Sequence, residues 1–327
     1  MRAIVLRHYG DPRTSLTLED IPTPALEPGQ VRVKIAAAPI HPADIAFVQG
    51  NYGFRRPVPT VPGLEGTGTV VEANAGLYGR WLMGKRVACF GSQDSHGSWA
   101  ESMACSASAC VPLKRTTSVE FGATLGVNPL TALSQLGIVR GGGHKAFIQT
   151  AAGSALGRMI SRLAGRHEVP AIHIVRRSEA AVSLRATGEA NVLASDDPAF
   201  DVGLKELSHR LGATIAFDAV GGEMSERLAA AMPQGGKVVV YGGLSGQSPR
   251  LSLPDLIFAG KSMEGFWLPL HIAKIGRLRL LQMTGEVQRL GETVLGTKVL
   301  ARLPLEKIAE AVAMQSRGSE GKVLLVP

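Results

Sequence analysis

The run Ala146-Phe-Ile-Gln-Thr-Ala-Ala-Gly-Ser-Ala-Leu-Gly157 decides how the chain folds. An apolar strand over 146–150 leads into a turn of small residues, and apolar positions at helical spacing follow over 155–164. Such a turn lets backbone N–H groups approach a pyrophosphate at the helix N-terminus. Gly153 and Gly157 keep two positions of the Gly-x-Gly-x-x-Gly pattern, while Ser154 and Ala155, followed by Leu156, stand where glycine is common. A close-packed corner that holds no ligand is the competing reading of this motif alone.

Working outward, strand-like segments at 171–175, 215–219 and 238–241 alternate with helical patterns at 178–187 and 225–232. That alternation predicts an α/β unit with a doubly wound parallel sheet. About twenty residues beyond the turn stands Arg176-Arg177-Ser178. An acidic residue there would accept from a ribose 2′-hydroxyl, whereas arginine suits a 2′-phosphate by charge and fork geometry. NADPH is therefore expected over NADH; a solvated basic face is the alternative. Tyr241-Gly242-Gly243-Leu244 and Gly221-Gly222 also follow strands, where loops line the ligand crevice of such sheets.

Upstream the style differs. Short strands at 3–6, 31–36, 66–71 and 86–90 are punctuated by Pro22, Pro24 and Pro28, and Gly63, Gly66 and Gly68 suggest a corner where backbones run close. A helix is expected to start near Asn128 or Leu130, around Pro129. The tail predicts helices near 284–288 and 305–314 and a last strand over 322–326. That strand has no helix after it, so it returns to the β-rich part. Two domains result: residues 1–121 with 266–327, and residues 122–265.

Hydrophobic residues are 45% of the 327 and charged residues 19%, which excludes a disordered chain. Cys89, Cys105 and Cys110 are too few for a disulfide scaffold and fit a reducing compartment. Neither a signal peptide nor an apolar run of membrane-spanning length is evident, so the expectation is a cytoplasmic protein with no membrane partner. The net charge of +8 favours anionic ligands. No basic run, zinc-finger spacing or RNA-binding aromatic pattern accompanies it, which argues against nucleic acid as the main partner.

The segment Pro39-Ile-His-Pro-Ala-Asp-Ile-Ala-Phe-Val-Gln-Gly-Asn-Tyr-Gly53 resembles the medium-chain dehydrogenase/reductase superfamily. The resemblance continues through Gly63-Leu-Glu-Gly-Thr-Gly68, Leu125-Gly-Val-Asn-Pro129, Tyr241-Gly-Gly-Leu244 and Gly265-Phe-Trp-Leu268. Tyr52, Asn128 and Phe266-Trp267-Leu268 are most similar to the zinc-independent trans-2-enoyl-thioester reductases of mitochondrial type, with quinone oxidoreductase-like proteins close by. The resemblance implies a Rossmann domain, a GroES-like catalytic domain and a homodimer. It implies Tyr52 as catalytic acid. Asn128, Gly153, Ser154, Ala155, Leu156, Arg176, Arg177, Ser178, Tyr241, Gly242, Gly243, Leu244, Phe266, Trp267, Leu268 and Lys322 would contact NADPH. Two departures stand out: the phosphate turn is glycine-poor, and Pro269 follows the tryptophan triplet where the similar reductases carry a polar residue.

In zinc-dependent members, a Cys ligand lies three residues before the Asp and a His ligand sits in Gly-His-Glu. Here those places hold His41 and Leu64. Leucine cannot ligate and a catalytic site needs three protein ligands, so no metal is expected and His41 reads as a packed loop histidine. The expected reaction is NADPH-dependent reduction of a conjugated C=C, foremost in a 2-enoyl thioester, with hydride going to the β-carbon and Tyr52 as the acid. Alternatives are NADPH-dependent quinone or enone reduction without a dedicated acid, and a non-catalytic NADPH- or RNA-binding protein. Tyr52 could also be a loop aromatic packed on Phe47 or Phe54.

Overall fold

The computed structural model describes residues 1–317 and 320–327. The chain divides into two compact units, Met1–Asn128 with Thr284–Pro327, and Pro129–Met283. The first unit opens with β1 (Arg2–Leu6), β2 (Leu16–Asp20), β3 (Gln30–Pro39), β4 (Glu65–Asn74), β5 (Arg86–Phe90), β6 (Ser102–Ser106) and β7 (Cys110–Pro112). The second holds β8 (Ala146–Gln149), β9 (Ala171–Val175), β10 (Val192–Ala194), β11 (Ala213–Asp218), β12 (Lys237–Val240) and β13 (Ser262–Gly265). The chain then returns to the first unit with β14 (Lys298–Pro304) and β15 (Gly321–Val326).

In the first unit the main sheet runs β14-β15-β3-β4-β5-β7, with β6 also paired to β3. β15 lies antiparallel to β3, Leu324 opposite Pro39 and Leu325 opposite Ala38. Inward residues such as Val31, Val33, Phe47, Trp99 and Leu325 form one fully buried core. The glycine corner has a steric cause. A Cβ on Gly68 would lie 1.9 Å from the Lys34 carbonyl oxygen, so β3 and β4 approach this closely only with glycine there.

The second unit is a six-stranded sheet in the order β10-β9-β8-β11-β12-β13, every pairing parallel. β9, Ala-Ile-His-Ile-Val, is buried at all five positions, as expected of a strand covered on both faces. The chain steps outward from β8 to β9 and β10, then crosses back to place β11 on the other flank of β8. Strand order reverses there, and in sheets of this kind ligands bind beyond the carboxyl ends of the strands at that point, here β8 and β11. The helix near 284–288 is part of a longer one, Leu268–Leu295, with Pro269 in its first turn, where its missing N–H costs nothing.

Candidate active site

The turn after β8 is built for close approach. Ala151 sits at φ 51°, a left-handed conformation that strains a residue with a side chain. Ser154 caps the helix Ala155–Arg166, its hydroxyl oxygen accepting from the Gly157 amide at 3.1 Å. A Cβ on Gly157 would stand 2.6 Å from the Ala151 carbonyl oxygen and from Ala152 backbone atoms. Glycine here thus lets the helix seat directly on the turn. The Ala155 and Leu156 amides have no acceptor among the described residues, which leaves first-turn donors for an anion.

At the end of β9, Arg176 and Arg177 are exposed, and among the described residues neither guanidinium is ion-paired. Ser178 is engaged: its amide and hydroxyl donate to Asp196 at 3.2 and 2.9 Å. At the ends of β11 and β12, the Tyr241 amide donates to the Asp218 carbonyl and the Leu244 amide to the Ala219 carbonyl. Burial, with the Asp218 carboxylate, pushes the Tyr241 phenol well up, which keeps it a proton-bearing donor. Gly242 would place a Cβ 2.8 Å from the Ala219 oxygen, so this loop too needs a bare backbone. Phe266 and Leu268 are half-buried, and Trp267 is 37% exposed; the Phe266 ring lies 5.2 Å from that of His271. Strand order thus brings the second unit's expected residues to the carboxyl ends of neighbouring strands.

Asp218, not among the expected site residues, organises this edge. It is fully buried, and it accepts from Thr150 Oγ1 (2.9 Å), Val220 N (2.8 Å), Gly221 N (3.1 Å) and Ser225 Oγ (2.6 Å). Three of those donors lie within seven residues of Asp218, the local pattern of an Asp at a strand end, and only Thr150 comes from far along the chain.

In the first unit, Tyr52 is half-buried, its ring edge-on to Phe54 at 5.1 Å, and Phe54 packs on Phe47. Asn128 is 8% and Lys322 3% exposed. The Lys322 ammonium donates to the Ile40 carbonyl at 3.3 Å. Burial holds it down to about 8, against the opposing pull of Asp44 and Glu65. Asp44, fully buried, is pushed up by the same desolvation; it accepts from the amides of His41 at 2.7 Å and Leu64 at 2.8 Å. His41, 1% exposed, has its Nε2 at 2.5 Å from Glu65. Glu65 and Asp44 are not among the expected site residues: the partners of Glu65 and one of the two of Asp44 lie 20 or more residues away along the chain.

A doubly wound sheet with donors at its switch point and an unpaired arginine couple is the architecture of a dinucleotide-dependent oxidoreductase. A family profile described as an alcohol dehydrogenase GroES-like domain matches residues 27–115, and one described as a zinc-binding dehydrogenase matches residues 155–278. The mitochondrial enoyl-[acyl-carrier-protein] reductase of Homo sapiens is 30% identical over 280 residues, spanning 82% of this chain and 72% of that protein. A solved structure from Mesorhizobium loti, provisionally assigned as an NADPH:quinone reductase, is 34% identical with a TM-score of 0.94, covering 100% of this chain and 98% of that one. A mitochondrial 2-enoyl thioester reductase heterodimer from Candida tropicalis shares the fold, at TM-score 0.80 and 23% identity, covering 100% of this chain and 99% of that chain. The chain belongs to the medium-chain dehydrogenase/reductase superfamily and is an oxidoreductase.

The zinc that the second profile's description implies does not fit these residues. Leu64 has no ligating atom, and His41 Nε2 is taken by Glu65. Among the described residues no three His, Cys, Asp or Glu side chains are grouped to hold a metal ion. Nor is any helix among them long and apolar enough to cross a membrane.

Proposed function

We propose that this oxidoreductase uses NADPH to reduce a C=C bond conjugated to a thioester carbonyl. The free amides of Ala155 and Leu156, the bare backbone at Gly153 and Gly242, and the unpaired Arg176 and Arg177 fit a dinucleotide carrying a 2′-phosphate. When bound, NADPH supplies the hydride that its nicotinamide C4 delivers to the β-carbon. What the chain must add is an answer to the negative charge developing at the carbonyl oxygen and α-carbon. Tyr52 is the group for it: a phenol is neutral at pH 7 and can donate a proton.

One observation carries this reading. The places that hold metal ligands in zinc-dependent members are occupied by Leu64 and by a His41 already bonded to Glu65, which leaves the charge at a thioester carbonyl to a proton donor such as the Tyr52 phenol. The relatives named as enoyl reductases support the thioester as acceptor. Asn128, Tyr241, Phe266, Trp267 and Lys322 are assigned to the cofactor side on the same resemblance. A homodimer is the expected assembly, checked by light scattering.

The similarity to a protein provisionally assigned as a quinone reductase favours a second reading, in which the acceptor is a quinone or simple enone and Tyr52 is dispensable. NADPH oxidation with crotonyl-CoA beside benzoquinone separates the two. On the first reading, crotonyl-CoA is turned over and Tyr52→Phe lowers kcat by about 10²–10⁴-fold at saturating NADPH. Wild-type kcat in Tyr52→Phe, or turnover of quinones alone, sinks it.

A further inference from the structure

Glu65 begins β4 and is 1% exposed, yet both of its oxygens are occupied. Oε2 accepts from the Gly126 amide at 2.9 Å and the Val127 amide at 3.0 Å, while Oε1 meets His41 Nε2 at 2.5 Å. The Val127 amide opens the helix Val127–Gly141, whose first N–H groups have no partner within the helix, and the Gly126 amide immediately precedes it. A carboxylate there satisfies them and faces the positive end of the helix dipole. It is a cap delivered from a strand some sixty residues away in sequence, and the residue after the capped pair is Asn128.

The surroundings are fitted to this cap. A Cβ on Gly126 would stand 1.9 Å from Phe90 Cε1 and 2.9 Å from Glu65 Oε2, so only glycine brings the amide to the carboxylate. A carboxylate only accepts, so His41 Nε2 carries the hydrogen between them. Asp44 braces both ends of the pair, taking the amide of His41 on one oxygen and that of Leu64, next to Glu65, on the other. His41 stands where zinc-dependent members place a metal ligand. Here that buried position holds a histidine–carboxylate bond instead.

We infer that Glu65 is a positioning residue for the dinucleotide: it fixes the start of helix Val127–Gly141 and thereby the side chain of Asn128, with His41 orienting the carboxylate. The inference rests on the assignment of Asn128 to the cofactor made above. It concerns binding, so its test needs no turnover.

The test is a titration of NADPH fluorescence against the whole chain and its variants, with far-UV circular dichroism as a folding check. Glu65→Gln keeps the shape and one acceptor but loses the charge, and should weaken NADPH about tenfold. Asn128→Ala should weaken it by a similar factor. The double variant should be within about twofold of Asn128→Ala alone, because two residues acting through one contact are not additive. His41→Gln, which keeps an N–H for Glu65, should retain affinity within about threefold, whereas His41→Leu should lose about tenfold. Wild-type affinity in Glu65→Gln, or losses that multiply in the double variant, overturns the inference. Weak binding by Glu65→Gln with normal binding by Asn128→Ala overturns it too, while leaving the NADPH reading intact. Failure of the wild-type chain to bind NADPH overturns both.

Discussion

Replacing Arg176 and Arg177 together by alanine tests the cofactor reading most directly. Both side chains are exposed and, among the described residues, unpaired, so their loss strands no buried carboxylate and should change stability by no more than about 0.5 kcal/mol. Their value is electrostatic. Two unit charges 4 Å apart are worth about 1 kcal/mol in bulk water and about 4 kcal/mol at an effective dielectric of 20. Exposure places these groups near the lower figure. With two arginines facing a phosphate of charge about −1.5 to −2, that figure gives about 3–4 kcal/mol unscreened, and salt screening brings the pair to about 2–3 kcal/mol, roughly 30- to 150-fold in Kd. NADH lacks the phosphate and should bind both proteins alike.

The assay is fluorescence titration of both nucleotides at low and high salt. Wild-type affinity for NADPH should fall with salt, and the variant should have lost most of that dependence. Asp196, which holds Ser178 beside the arginines, adds a control: Asp196→Ser removes a like charge and should tighten NADPH. Retention of NADPH within twofold in the double-arginine variant, or an equal loss of NADH, refutes the reasoning.

Three further outcomes follow from named contacts. Asp218→Asn turns an amide toward Gly221 N and Ser225 Oγ, both donors, and should destabilise the second unit by about 2–4 kcal/mol, read as a lower denaturation midpoint. Gly157→Ala drives a Cβ into the turn backbone at 2.6 Å; it should cost about 1–3 kcal/mol and weaken NADPH, seen by differential scanning fluorimetry with and without ligand. Lys322 is held at about 8 when folded but near its ordinary value of about 10.4 when unfolded, so between those pH values the unfolded chain binds the extra proton. Its contribution to stability therefore rises with pH through that window, by up to about 1.4 kcal/mol per pH unit, and Lys322→Met should flatten the rise in urea titrations at pH 8 to 10.

Much of the second unit was legible from local signals. Buried parallel strands are short apolar runs, and the small-residue turn announces its helix start, so β8, β9 and β12 fall close to where the pattern puts them. β10, three residues long, is too short to show a pattern, whereas the helix Phe200–Leu211, absent from the expected elements, does carry Phe200, Leu204, Leu207 and Leu211 at helical spacing. The helix Leu268–Leu295 was foreseen only in part, because Gly276, Gly285 and Gly291 break up its pattern; Gly276 and Gly291 take positive φ.

By itself the sequence determined the alternation of strand and helix, the glycines that let backbones meet, the place of an arginine couple of the kind a 2′-phosphate would suit, and a residue at 64 that has no ligating atom. Those are properties of residues and their near neighbours. Only the tertiary structure decided what the buried carboxylates do. Asp218 collects donors from Thr150 to Ser225, and Glu65 reaches 61 and 62 residues along the chain to cap the helix that carries Asn128. A hydrogen bond depends on distance in space, and periodicity along the chain carries no record of which distant amide a buried oxygen will meet.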